Sequence, residues 1–177
     1  MREFKLGRIG ELNLSAMPSA LASFIVLWIG LVALTMGLLK LSWASAIVVG
    51  FIATGLHWLS ETIHQFGHAA FARRTGYPMT GIRYWGALSA SVYPDGEPAL
   101  SGTIHVRRAL GGPVTSLLVA VVGGLILLAL SLIAALSGVW WLALFFVIEN
   151  VAVFCLGALL PLGFTDGSTL LRWGGKP

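Results

Sequence analysis

Four long runs of apolar residues dominate the pattern along this chain. They cover residues 20–39, 43–72, 113–136 and 139–160. About 20 apolar residues are enough to cross a bilayer as a helix. Only two residues separate the last two runs, so these should form a tight antiparallel pair. The pattern therefore predicts about four transmembrane helices.

The segment between the second and third runs, residues 73–112, has a different pattern. Residues 88–93, with the sequence LSASVY, alternate between apolar and polar side chains, as in a half-buried strand. The sequence PDGEP at residues 94–98 is typical of a turn, and residues 104–106 are predicted to form the returning strand. We therefore predict a small β-hairpin between spans two and three.

Composition and charge place this single predicted domain, residues 1–177, in a membrane and orient it. The chain is 57% hydrophobic and only 10% charged, whereas a soluble domain has about 25% charged residues. This composition indicates contact with a lipid bilayer. The basic residues are scattered between the apolar runs, which argues against nucleic-acid binding. With four spans, ten of the eleven Lys and Arg residues lie on one side. The positive-inside rule then predicts that both termini and the 73–112 loop are cytoplasmic.

Two histidines four residues apart lie near the end of the second run. His64 and His68 fall on one face of a helix, one turn apart, and this spacing lets two imidazoles hold one metal ion. A catalytic zinc needs a third protein ligand, and Asp166 lies on the same predicted side of the membrane. These residues predict a Zn²⁺ site. The alternative is that the histidines pack between helices and Asp166 caps a turn.

Several segments of the chain resemble the site-2 protease family of intramembrane zinc metalloproteases. "HQFGHAAFARRTGYP" at 64–78 resembles the family's H-E-x-G-H-A segment, and "LLPLGFTDGSTLL" at 159–171 resembles its L-L-P-x-x-x-x-D-G segment. "RRALGGPVTSLLVAVV" at 107–122 resembles the segment ending A-G-P-x-x-N, and "FKLGRIGELNL" at 4–14 resembles the lead-in to the first span. The resemblance implies a zinc ion held near the cytoplasmic face and a transmembrane or membrane-adjacent polypeptide as substrate.

The chain departs from the family's pattern at three positions. Gln65 stands where the family has its general base glutamate, and Ser116 and Ala158 replace two asparagines. Glutamine cannot take a proton from water, and general acid–base catalysis is typically worth about 10²–10⁴-fold. Ser116 can still donate a hydrogen bond to a substrate carbonyl. Two functions therefore stay open, an intramembrane zinc metallopeptidase and an inactive pseudoprotease that binds metal or a helical partner.

Two glutamates lie inside the predicted spans, where a charged residue is costly and usually functional. Glu61 is one helical turn before Gln65 and one turn after His57, and Glu149 lies at a similar depth in the fourth span. Glu61 could replace the missing base through a water, Glu61 and Glu149 could be interhelical partners, one of them protonated or paired with His57, or these residues could bind a second metal. A proton-coupled transporter using these groups is a further alternative, which four spans without repeats disfavour.

Overall fold

The structure is a computed structural model that describes residues 3–133 and 137–176. Within these residues it has four strands and five α-helices. In chain order they are β1 Phe4–Ile9, β2 Leu12–Ala16, α1 Pro18–Leu39, α2 Trp43–Arg74, β3 Gly81–Trp85, β4 Leu88–Val92, α3 Gly102–Ile133, α4 Gly138–Val151 and α5 Asp166–Trp173. A six-residue π-helix, Ala152–Gly157, continues α4 without a break.

Four helices are long and apolar enough to cross a membrane, the fourth being α4 together with the π-helix. The predicted number of long apolar helices is therefore confirmed. The largest difference from the predicted bounds is at α3, which begins at Gly102, eleven residues before the predicted span. The helix continues through Pro113, where the predicted span begins. The predicted end of that span, residues 134–136, lies outside the described residues.

The four strands form one sheet in the order β1-β2-β3-β4. The β1–β2 and β3–β4 pairs are antiparallel, and β2 pairs with β3 in parallel. The predicted β-hairpin between α2 and α3 is confirmed as β3–β4. Its two-residue turn begins at Gly86, whose φ of 54° is the conformation that a type II′ turn needs at its first position.

The strand predicted at residues 104–106 is wrong. These residues lie in the first turns of α3, and the partner of β4 is β3, which precedes it. Their β-branched residues Ile104 and Val106 favour a strand only weakly, and packing in the folded protein decides the outcome. Strands β1 and β2, which precede α1, were not predicted from the sequence.

The sheet packs against the second half of α2. Ile82 of β3 is fully buried, and Tyr84 contacts two residues of α2. The ring of Tyr84 lies 5.5 Å from that of Trp58, and its hydroxyl lies 2.8 Å from that of Thr62. The edge strand β4 therefore runs beside the helix that carries both histidines.

Helices α2 and α3 approach each other closely where two glycines meet. A Cβ atom on Gly67 would overlap the carbonyl oxygen of Gly111, and one on Gly111 would lie 2.5 Å from the carbonyl oxygen of Gly67. Only residues without a side chain allow the two backbones to come this close. The contact brings residues 108–116 of α3 against the turn of α2 that carries the histidines.

Candidate metal centre

The side chains of His64, His68 and Asp166 converge on one point. The Nε2 atoms of the two histidines are 3.0 Å apart, and each lies 3.4 Å from Oδ2 of Asp166. Within residues 3–133 and 137–176, this is the one group of three or more His, Cys, Asp or Glu whose potential ligand atoms all lie within 4.8 Å of one another. The structure thus brings together the three ligands predicted from the sequence.

The spacing of these atoms fits a zinc ion. Three atoms with these separations can all lie about 2.0 Å from a common point, which is the usual Zn–N and Zn–O distance. Two imidazoles and one carboxylate are also a donor set that catalytic zinc sites use. Gly112 of α3 leaves the space open, since a Cβ atom there would overlap the Nε2 atoms of both histidines. Donor type, spacing and space therefore agree with zinc.

Both imidazole rings are oriented through their other nitrogen atom. Nδ1 of His64 lies 3.0 Å from the hydroxyl of Ser116, and Nδ1 of His68 lies 2.8 Å from the backbone carbonyl of Arg108. A carbonyl can only accept a hydrogen bond, so Nδ1 of His68 carries a proton, and Nε2 is the nitrogen that faces Asp166 and would bind a metal. Metal-binding histidines are typically held in this way. Ser116 is fully buried, and its hydroxyl faces His64.

Asp166 begins α5, just after the loop that follows the fourth span. The backbone N–H of Gly167 donates to the carbonyl of Ala158 at 2.9 Å, which closes this loop and returns the chain to the end of the π-helix. Burial opposes the ionisation of Asp166, but the hydrogen bonds from both histidines hold its pKa below the ordinary value. The carboxylate is the form that binds a metal.

Arg108, which the sequence did not single out, supports the centre from the N-terminal part of α3. Its guanidinium is only 5% exposed and makes two hydrogen bonds of 2.6 and 3.0 Å to the carboxylate of Glu97. It also donates to the carbonyl of Tyr77 and lies 4.0 Å from the ring centre of Tyr93. Because its carbonyl orients His68, this ion pair fixes the turn of α3 beside the ligands.

Gln65 and Glu61 are engaged by β4. The Oε1 atom of Gln65 accepts a 2.8 Å hydrogen bond from the hydroxyl of Ser91, and its Nε2 donates a longer one, 3.4 Å, to the carbonyl of Ser89. One carboxylate oxygen of Glu61 accepts from both the backbone N–H and the hydroxyl of Ser89, the former at 2.6 Å. From the sequence, Ser89 and Ser91 are recognisable only as polar positions of a strand.

Glu149 pairs with His57. Its Oε1 atom lies 2.6 Å from Nδ1 of His57, and Nε2 of the same ring lies 2.7 Å from the carbonyl of Ala87. Since the carbonyl only accepts, Nε2 carries a proton, and one further proton is shared between Nδ1 and the carboxylate. The pair is then neutral overall, as a group buried among membrane helices should be. Of the three interpretations of Glu61 and Glu149, this contact favours pairing between helices for Glu149, with His57 as its partner, whereas Glu61 bonds to Ser89.

The π-helix places the ring of Phe154 beside the three ligand residues. The ring of Phe154 lies 5.5 Å from that of His57 and 5.8 Å from that of His64, and the side chain is 2% exposed. The backbone N–H of Ala158 donates to the carbonyl of Val153, five residues earlier, at 3.0 Å. Phe154 therefore lies between the His57–Glu149 pair and the metal ligands.

Comparison with known proteins gives one structural relative. The site-2 protease from Methanocaldococcus jannaschii matches 97% of this chain and 70% of its own, with a TM-score of 0.59 and 19% sequence identity. The chain shares the fold of that protein. No protein-family model and no curated protein matches the sequence. The similarity supports an integral membrane protein with a metallopeptidase-like fold, and at this identity it shows the fold alone.

Proposed function

We propose that this membrane protein binds Zn²⁺ through His64, His68 and Asp166 and uses that centre to engage a membrane-embedded or membrane-adjacent polypeptide. The observation that supports this most is the convergence of the three ligand atoms, with both imidazoles oriented by hydrogen bonds from behind. The distribution of basic residues supports a centre near the cytoplasmic face, with both termini on that side.

We further propose that the protein binds its polypeptide ligand without hydrolysing it. Zinc, when bound, polarises a carbonyl and lowers the pKa of a bound water. The chain itself must supply the group that accepts a proton. Gln65 cannot do so, and the nearby carboxylate of Glu61 already accepts two hydrogen bonds from Ser89. Ser116 orients His64, and a hydroxyl that accepts from Nδ1 of that ring keeps its own proton for a substrate carbonyl, but it cannot act as the base.

Peptide hydrolysis is the second candidate function. It is favoured by the number of ligands, because three protein ligands leave a fourth position free, as catalytic zinc sites do. In that case Glu61 would have to leave Ser89 to act as the base. We do not propose proton-coupled transport, since the contacts of His57 and Glu149 are accounted for by their pairing.

Metal content of the detergent-purified protein tests the first proposal. We expect about one zinc per chain in the wild type, and its loss in His68→Ala and in Asp166→Ala. His105→Ala is the matched control, because this histidine stacks on Trp173 away from the three ligands and its loss should leave the zinc in place. A wild-type protein without zinc after incubation with excess metal would contradict the proposal.

A cleavage assay separates the two candidates. The zinc-loaded protein is mixed in lipid nanodiscs with a labelled single-span polypeptide. We expect no more cleavage by the wild type than by His68→Ala. Cleavage that His68→Ala abolishes would establish the peptidase, and Glu61→Gln would then test whether Glu61 is the base.

A further inference from the structure

Among residues 3–133 and 137–176, no strand neighbours the outer edge of β4, and side chains of α2 cover this edge. Nε2 of His57 donates to the carbonyl of Ala87 at 2.7 Å. Glu61 accepts from the N–H of Ser89 at 2.6 Å, and Gln65 donates to the carbonyl of the same residue at 3.4 Å. Both backbone groups of Ser89 therefore point away from β3 and are taken. We call His57, Glu61 and Gln65 the edge clamp.

The axial spacing of residues in a helix and in a strand explains why the three clamp side chains match the edge of β4. Its members are four residues apart, which is about 6.0 Å along a helix. The outward-facing residues at this edge are two apart, which is about 6.7 Å along a strand. The contacts advance in the same direction along both elements and end with the hydroxyl of Ser91 on Gln65. The clamp thus places donors and acceptors at nearly the spacing that a neighbouring strand would provide.

We propose that the edge clamp is a built-in competitor for extended polypeptides. A polypeptide that adds to a sheet as a strand bonds to the free N–H and C=O groups of the edge. Here it must first displace Glu61 and Gln65 from Ser89. The clamp therefore closes the edge beside the metal centre until a ligand opens it. The inference rests on the proposed function, in which the ligand is a polypeptide.

The clamp gives Gln65 a function that glutamate could not perform. An amide has both a donor and an acceptor, so Gln65 bonds to the carbonyl of Ser89 and to the hydroxyl of Ser91. A carboxylate has no donor and would face that carbonyl unfavourably. It would also lie one turn from the carboxylate of Glu61, with both residues buried at 2–4% exposure. Glutamine at this position strengthens the clamp.

Residue-resolved amide exchange of the zinc-loaded, full-length protein in detergent tests the clamp. The wild type is compared with a Glu61→Ala, Gln65→Ala double variant. Ala90, whose register partner is Arg83 of β3, is the internal control, because alternate residues of a strand bond to opposite sides. We expect the amide of Ser89 to exchange slowly in the wild type and at least about tenfold faster in the variant, with Ala90 unchanged.

A peptide-binding measurement tests the competition. The probe is a fluorescent eight-residue peptide of alternating Val and Thr, and its binding is followed by fluorescence anisotropy. We expect the double variant to bind at least about tenfold more tightly than the wild type, because two competing hydrogen bonds are gone. Ser45→Ala, at the opposite end of α2, is the matched control and should bind as the wild type does.

Two outcomes would contradict the proposal. Fast exchange of Ser89 in the wild type would mean that the edge is open, and lost protection without tighter peptide binding would mean that the clamp does not compete. If Ala90 also exchanges faster, the double variant has lost its sheet. Glu61→Ala alone, which removes only the acceptor of the Ser89 N–H, then takes its place under the same criteria. Zinc content measured in the same samples tests the metal centre separately.

Discussion

Helix α2 carries two sets of polar residues, and the partners of the two sets come from different parts of the fold. The ligand pair, His64 and His68, is completed by side chains and a carbonyl of α3 and by the carboxylate of Asp166. The edge clamp is completed mainly by the backbone of β4. The ligand pair is recognisable from its own residue types and spacing. The clamp residues acquire their meaning only from the strand beside them.

The two sets of residues require different residue types at position 65. A glutamate there would act as a base beside the ligand pair, whereas a glutamine there donates to the carbonyl of Ser89 in the clamp. This chain has the glutamine. The residue at position 65 therefore suits the clamp and cannot accept a proton, and the following changes test the clamp and the ligand pair in turn.

The largest effect is expected from Gly112→Ala. The new methyl group would overlap Nε2 of both histidines, so we expect zinc content to fall from about one per chain to nearly none. Gly124→Ala in the same helix is the matched control, because a Cβ there meets nothing within 4 Å. Metal analysis of both purified variants gives the answer. Full zinc occupancy in Gly112→Ala would mean that the ligands do not converge as described.

A smaller effect is expected from Glu97→Ala, which leaves the guanidinium of Arg108 buried without its carboxylate. The loss of stability should be about 3 kcal/mol, measured by denaturant unfolding in detergent. Glu11→Ala is the control, since the ion pair of Glu11 with Arg73 is about 70% exposed on both sides and should contribute no more than about 0.5 kcal/mol. Equal losses in the two variants would contradict a structural role for Arg108.

The same ion pair predicts a pH dependence of stability. The hydrogen bonds from Arg108 lower the pKa of Glu97 below its ordinary value of 4.5. The pair therefore stabilises the folded protein fully above about pH 4.5, and its contribution is lost as the pH falls through the lower folded-state pKa. In Glu97→Gln the unfolding free energy should fall less steeply below about pH 4.5. A slope equal to that of the wild type would rule out this contribution.

An intermediate effect on the ligand side is expected from Ser116→Ala, which removes the partner of Nδ1 of His64. Such supporting contacts typically change metal affinity by about 10–100-fold, and we expect about tenfold weaker zinc binding by competition with a chelator. Ser131→Ala in the same helix, which removes a hydroxyl bonded to Leu127 and Trp140, should leave the affinity unchanged. Equal affinities in wild type and Ser116→Ala would assign Ser116 to another role.

The smallest effect is expected from Gln65→Glu. It introduces the glutamate that site-2 proteases have in the segment this one resembles, but it removes the donor to Ser89 and adds a second carboxylate beside Glu61. Amide exchange of Ser89 should rise about threefold to tenfold, while zinc content stays the same. Gln65→Met, which has neither the amide donor nor an oxygen acceptor, should raise it at least as much. Slower exchange in Gln65→Glu than in the wild type would show that glutamate also fits the clamp.

The sequence predicts those parts of the molecule that are encoded locally. The long helices follow from apolar runs, and β4 follows from the alternation in residues 88–92. The histidine pair and Asp166 follow from residue type, spacing and resemblance, and the structure brings their ligand atoms together. Their role as metal ligands stays a prediction until metal is measured.

The remaining parts depend on contacts between distant segments. In the sequence, residues 4–9 resemble a lead-in to the first helix. Their strand could not be predicted locally, because the β1–β2 pair is completed by β3, some 65 residues later. Ser89 and Ser91 look like the solvent face of a strand, but they face buried side chains of α2. Arg108 looks like a membrane-boundary charge until Glu97 is placed beside it.

The π-helix between α4 and the loop to Asp166 makes the spacing of this segment sensitive to insertions and deletions. Its buried residues, Phe154 and Cys155, follow the buried pair Glu149 and Asn150 at an interval of five, where an α-helix would turn each about 140° away. A homologue one residue shorter here would form an ordinary α-helix. In such a homologue, either Phe154 or the loop that leads to Asp166 would be displaced from its position beside the histidines. The number of residues in this turn should therefore be more restricted than their identity.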